Sequence, residues 1–106
     1  MAAFMIALIK STDMNDEVRN YLERIDDTLE PYGGRYRIHG GPYLPLEGQW
    51  EGDLVLFEFP DAERAEAWYR SAAYQAIQPL RAQNSVATVT LVAGVPDTHK
   101  GRDLLR

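Results

Sequence analysis

Four stretches of the chain are dense in apolar residues, and two longer ones are apolar only at helical spacing. Residues 3–10 (AFMIALIK) are almost continuously apolar, the pattern of a strand covered on both faces. From Val18, apolar positions recur at Tyr21, Leu22, Ile25 and Leu29, with Glu23, Arg24, Asp26 and Asp27 lying elsewhere. That spacing predicts an amphipathic helix. Thr12 or Asp13 is its expected cap, and Asp16 and Glu17 suit its positive end. Pro31 and Gly33-Gly34 stop it.

Residues 35–39 (RYRIH) alternate, predicting a second strand with Arg35, Arg37 and His39 on one face and Tyr36 and Ile38 on the other. Gly40-Gly41-Pro42 breaks it. The stretch to Gly52 reads as a long loop or irregular hairpin, with Tyr43, Leu44, Leu46 and Trp50 as apolar anchors. Residues 54–59 (LVLFEF) predict a third strand, ended by Pro60. Asp61 caps a helix whose apolar face holds Ala62, Ala65, Trp68 or Tyr69, and Ala72. Ser71 opens a further short helix with Tyr74 and Ile77, which Pro79 is expected to close. Residues 86–93 (VATVTLVA) are rich in β-branched residues and predict a fourth strand.

The order is strand, helix, strand, strand, helix, strand. It specifies an α+β domain of the ferredoxin-like βαββαβ type with a four-stranded antiparallel sheet. The domain is expected over residues 1–95, with a polar tail over 96–106 in which only Leu104 and Leu105 could dock on a partner. With helices on one side, the other side of the sheet is left open and apolar. An open apolar face of several hundred Å2 is typical of a partner surface. A second copy, sheet against sheet, is the expected partner.

Composition narrows the function classes. One chain of 106 residues makes one domain with a modest core. Its net charge of −5, with scattered positive residues, argues against nucleic acid and against anionic membranes. There is no cysteine, which excludes disulfides, thiolate metal sites and a cysteine nucleophile, and fits a cytoplasmic protein. The apolar run at residues 2–9 is too short to span a bilayer and has no basic leader.

The candidate chemistry is sparse. His39 is a general acid/base by its titration range, or a strand-end histidine bonded to backbone or solvent. Glu58, on a strand otherwise of Leu, Val and Phe, needs a partner. It is a base or a substrate anchor, or one half of an ion pair with Arg35 or Arg37. Trp68, Tyr69 and Tyr74 pack a core by their spacing. With Tyr36, Tyr43 and Trp50 they can also line an aromatic cavity. His99 lies in the tail, so no metal-ligand spacing exists and neither metal nor cofactor is expected. The glycine pairs lack the setting of phosphate loops, and Ser71 lacks a nucleophile's partners. Arg81 and Asn84 read as surface groups, with the cavity as the alternative.

Together, Tyr32-Gly33-Gly34-Arg35, Gly40-Gly41, Glu47-Gly48-x-Trp50, Glu58-Phe59-Pro60, Ala67-Trp68-Tyr69-x-Ser71 and Tyr74-Gln75 resemble the family known as domain of unknown function 1330. That family belongs to the dimeric α/β-barrel superfamily. The chain departs from the family pattern at His39 and at Ala72-Ala73. The resemblance implies a homodimer with a barrel-like interface and no assigned activity. Relatives in the superfamily include cofactor-independent monooxygenases, cyclases and isomerases. The resulting expectation is a pocket between sheet and helices, closed by the loop 41–52, for a small metabolite. If it is an enzyme, it moves protons without a cofactor. His39, Glu58 and Tyr69 would then do the chemistry, while Arg37, Tyr36, Tyr43, Trp50, Trp68 and Tyr74 bind the substrate. A non-catalytic binding or accessory dimer is the alternative.

Overall fold

The computed structural model describes all 106 residues. Its elements run β1 (Ala3–Thr12), α1 (Asp16–Leu29), β2 (Arg35–His39), β3 (Asp53–Phe59), α2 (Ala62–Arg70), α3 (Ala72–Ala82) and β4 (Ser85–Ala93). Short 3-10 turns cover Glu30–Tyr32 and Gly101–Leu105. The strands form one antiparallel sheet in the order β2-β3-β1-β4. This is the ferredoxin-like arrangement, as the pattern predicts.

Side chains alternate across the sheet, so every second residue faces the helices. On β1 those are Ala3, Met5 and Ala7; on β3 they are Val55, Phe57 and Phe59. Tyr21, Ile25 and Leu29 of α1, Ala65 and Trp68 of α2, and Tyr74 and Ile77 of α3 close over them. Trp68, Phe59, Ile25 and Ile77 are the largest fully buried side chains. Each stabilises the fold by about 1.5–3 kcal/mol relative to leaving it in water.

The helix ends follow local chemistry. Asp61 caps α2 by accepting from the Arg64 N–H at 2.8 Å. Ser71 caps α3 by accepting from the Tyr74 N–H at 3.2 Å, while its hydroxyl donates to the Trp68 carbonyl at 2.7 Å. The cap of α1 is Asn15, which accepts from the Val18 N–H at 3.1 Å, rather than Thr12 or Asp13. The reason is that β1 continues through Thr12, paired to Ser85 of β4 past a register shift between Ile9 and Ser11. Pro79 lies inside α3 instead of closing it. Its fixed φ is helical, and it forgoes only one N–H. Tyr74 and Ile77 are buried before it, and the helix runs on to Ala82.

The β2 strand differs from its simple alternation. Arg35 pairs with Glu58 and Tyr36 with Phe57, but Ile38 pairs with Leu56 and His39 with Val55. The register shift makes Arg37 an extra residue, and a bulge of this kind reverses the facing of the residues beyond it. His39 therefore joins Tyr36 on the helix side, and Ile38 joins Arg35 on the open side. The alternation predicts the reverse for both.

Candidate functional site

Between the sheet and the helices lies a cavity of about 380 Å3. It is lined from the sheet by Met5, Ala7, Val55, Phe57 and Val89, and from the helices by Val18, Tyr21, Trp68 and Tyr74. His39, Gly40 and Asp53, where β2 ends and β3 begins, border it as well, together with Thr12 and Met14. Tyr36, Tyr69 and Arg81 complete its polar groups.

The aromatic rings are in contact. Trp68 lies 4.2 Å from Tyr74, 5.4 Å from Phe57 and 5.5 Å from Phe59, centroid to centroid. Tyr69 is 5.4 Å from Tyr74. Tyr36 stacks on His39 at 4.3 Å with an interplanar angle of 18°. These walls leave few polar groups over much apolar surface, the composition of small-molecule pockets.

Most buried polar handles are answered within the protein. The Trp68 indole donates to Thr28 Oγ1 at 3.0 Å, and that hydroxyl donates to the Ile25 carbonyl at 2.7 Å. Tyr21 and Tyr74 share a hydrogen bond between hydroxyls 2.9 Å apart. Burial pushes the Tyr21 phenol well above its ordinary range, with Tyr74 adding to the shift, so it remains a neutral hydroxyl. Burial raises Tyr36 as well, helped by the negative charge of Asp26. No group of His, Asp and Glu is arranged to hold a metal ion.

The structure brings together only part of the predicted set. His39, Tyr36, Trp68, Tyr69 and Tyr74 border the cavity. Glu58 and Arg37 do not. They form an ion pair on the other side of the sheet, with Arg37 Nε 2.8 Å from Glu58 Oε1 and both side chains partly exposed. Tyr43 and Trp50 also lie apart from it, stacked on each other at 5.6 Å in the loop. The Tyr43 hydroxyl accepts from the Leu54 N–H at 2.8 Å, and the Trp50 indole donates to the Gly52 carbonyl at 3.1 Å. These contacts fasten the loop to the start of β3, and no residue of 41–52 lines the cavity. Gly52 is required at this junction. Its φ is +81°, and a Cβ there would sit 2.7 Å from the Ile9 carbonyl oxygen.

One polar member escapes the sequence reading. Tyr21 looks like one more apolar helical position, yet its hydroxyl is half of the tyrosine pair. Arg81 reads first as a surface group, and the cavity, its alternative there, is where it stands. The available signal was its spacing of seven from Tyr74, which puts both on one face of α3. Asn84, by contrast, is a tie between helices. It accepts from Asn15 at 2.8 Å and donates to Glu17 and to the Leu80 carbonyl.

Residues 2–95 match the family described as Domain of unknown function (DUF1330), and the chain belongs to that family. Solved structures confirm the fold at low identity. A dimeric ferredoxin-like protein of unknown function from Jannaschia sp. CCS1 is 9% identical with a TM-score of 0.66, over 89% of this chain and 100% of that one. A protein of unknown function from Rhodopseudomonas palustris is 15% identical with a TM-score of 0.63, over 90% and 83%. A dimeric ferredoxin-like protein of unknown function from Thermobifida fusca is 16% identical with a TM-score of 0.57, over 89% and 92%. No protein of curated function matches the chain. No helix is long and apolar enough to cross a membrane.

Proposed function

We propose that this protein is a homodimer that binds a small, partly aromatic or carbonyl-bearing metabolite between the sheet and the helices of each subunit. The carrying observation is the 380 Å3 cavity, whose aromatic walls are interrupted by a few polar groups. Well-packed interiors leave few voids larger than a water molecule. The dimer is supported by the open sheet face, where Phe4, Ile6, Leu8, Leu54 and Leu56 have no helix over them. It is also supported by the dimeric state given for similar folds. In this reading Arg37 and Glu58 belong to the interface rather than to the ligand.

The position of His39 favours a second reading, proton transfer without a cofactor. Its imidazole is held against Tyr36 at the cavity border, within reach of solvent. There His39 exchanges a proton with the ligand, and the Tyr69 hydroxyl polarises a ligand oxygen.

The test is a thermal-shift and NMR screen with small aromatic ketones, aldehydes and acids. Binders should perturb the resonances of Trp68 and Tyr74, and enlarging Ala7→Leu should abolish the effect. A screen in which every binder survives Ala7→Leu removes the cavity reading. For any binder with an acidic C–H, the catalytic reading expects deuterium incorporation that His39→Gln suppresses. Exchange that is unaffected by that substitution leaves binding alone.

A further inference from the structure

Arg81 is the one cation that borders the cavity and has no carboxylate partner. It stands in the last turn of α3, half-buried, and takes part in none of the chain's ion pairs. Its guanidinium carbon lies 5.9 Å from the centre of the Tyr21 ring. That ring and the negative end of α3 favour a positive charge here. Neither saturates the guanidinium, which carries five N–H donors. Burial works against its charge, and the Tyr74 and Tyr21 hydroxyls beside it act in the opposite direction.

A second donor stands beside it. The hydroxyls of Tyr21 and Tyr74 are 2.9 Å apart, so one donates to the other. Two hydroxyls carry two hydrogens, and this bond uses one. The remaining hydrogen is available to an acceptor in the cavity. A guanidinium without a carboxylate partner and a spare phenolic hydrogen over aromatic walls match an acidic oxygen on an apolar body.

We propose that the ligand is a small aromatic carboxylate, with its ring against Trp68 and Tyr74 and its carboxylate on Arg81 and the tyrosine pair. This rests on the cavity being a ligand site. An ionised acceptor strengthens the phenolic bond roughly twofold over a neutral one, and a guanidinium suits the two oxygens of a carboxylate better than an amine does.

The experiment compares matched probes by NMR titration of the intact protein: benzoate with benzamide, 3-phenylpropionate with 3-phenylpropionamide, and 2-naphthoate with 2-naphthamide. The expected result is that at least one carboxylate binds at least about tenfold tighter than its amide. Arg81→Gln should bring the carboxylate to the affinity of the amide, while Arg81→Lys keeps part of the preference. If acids and amides bind the cavity equally, the cavity stands and the carboxylate inference falls. A preference that survives Arg81→Gln also overturns it. If no probe binds, the cavity reading fails and the inference fails with it. The acid-to-amide ratio is read on the unaltered protein, so it holds even if a variant folds poorly.

Discussion

The two faces of this sheet are built from alternate residues of the same strands, yet they end in different states. On the helix side, Met5, Ala7, Val55, Phe57 and Phe59 are buried under rings from α1, α2 and α3. On the open side, Phe4, Ile6, Leu54 and Leu56 are only half-buried, Leu8 is exposed, and β4 contributes Thr88 and Thr90. The helix side answers most of its polar groups within the protein, through Thr28 with Trp68 and Tyr21 with Tyr74. The open side has one ion pair, Arg37 with Glu58. The difference teaches that apolar character has two uses here. One face is spent on the chain's own core and a cavity, and the other stays half-buried with no helix over it.

Breaking the helix side should have the larger effect. Trp68 touches Phe57, Phe59, Tyr69 and Tyr74 and holds the Thr28 hydroxyl. Trp68→Ala should cost about 3–5 kcal/mol in urea unfolding. A loss below about 1 kcal/mol would mean that the helices are not held by this ring. On the open side, Leu56 lies between Ile6 on β1 and Ile38 on β2. Leu56→Lys should leave the subunit folded and weaken self-association a hundredfold or more, about 3 kcal/mol. Sedimentation should then report a single 12.0 kDa chain, where the proposed dimer of the unaltered protein should give twice that mass. A variant that stays dimeric would move the interface elsewhere.

The contrast between the faces was partly legible in the sequence. Hydrophobic spacing and turn residues predict the strands and α-helices in their observed order, because β1, β3 and the helices each bury a row of side chains and β2 and β4 are bounded by turn residues. Helical spacing puts Trp68 and Tyr74 in the core, where they are buried, and the aromatic character of Trp68, Tyr69 and Tyr74 points to the cavity that they border. What failed depends on backbone pairing between strands. The bulge at Arg37 carries no side-chain signature, yet it sends His39 to the cavity and Ile38 to the open face. The same pairing explains Glu58. Its need for a partner was legible, but the alternation grouped Arg37 with His39, whereas the bulge separates them. Tyr43 and Trp50 were drawn to the cavity by their aromatic character. Their hydroxyl and indole instead fasten a loop, since backbone groups near a turn need partners too.

The smallest expected effect separates the faces by pH. Burial raises Tyr21 in the folded protein above the ordinary tyrosine value of 10.0, and Tyr36 shifts the same way. Above pH 10 the unfolded chain therefore loses phenolic protons that the folded chain keeps. The stability held below that pH then falls as pH rises, by up to about 1.4 kcal/mol per unit for each such group. Tyr21→Phe removes one share of that slope. At neutral pH it costs about 1 kcal/mol, because Tyr74 loses its hydroxyl partner. The variant should thus begin weaker than the unaltered protein and converge on it between pH 10 and 11. The open face carries no tyrosine on its paired strands. Thr90→Val on that face should consequently leave the alkaline slope unchanged. Parallel urea midpoints across the alkaline range for Tyr21→Phe and the unaltered protein would mean that the Tyr21 hydroxyl is already open to water.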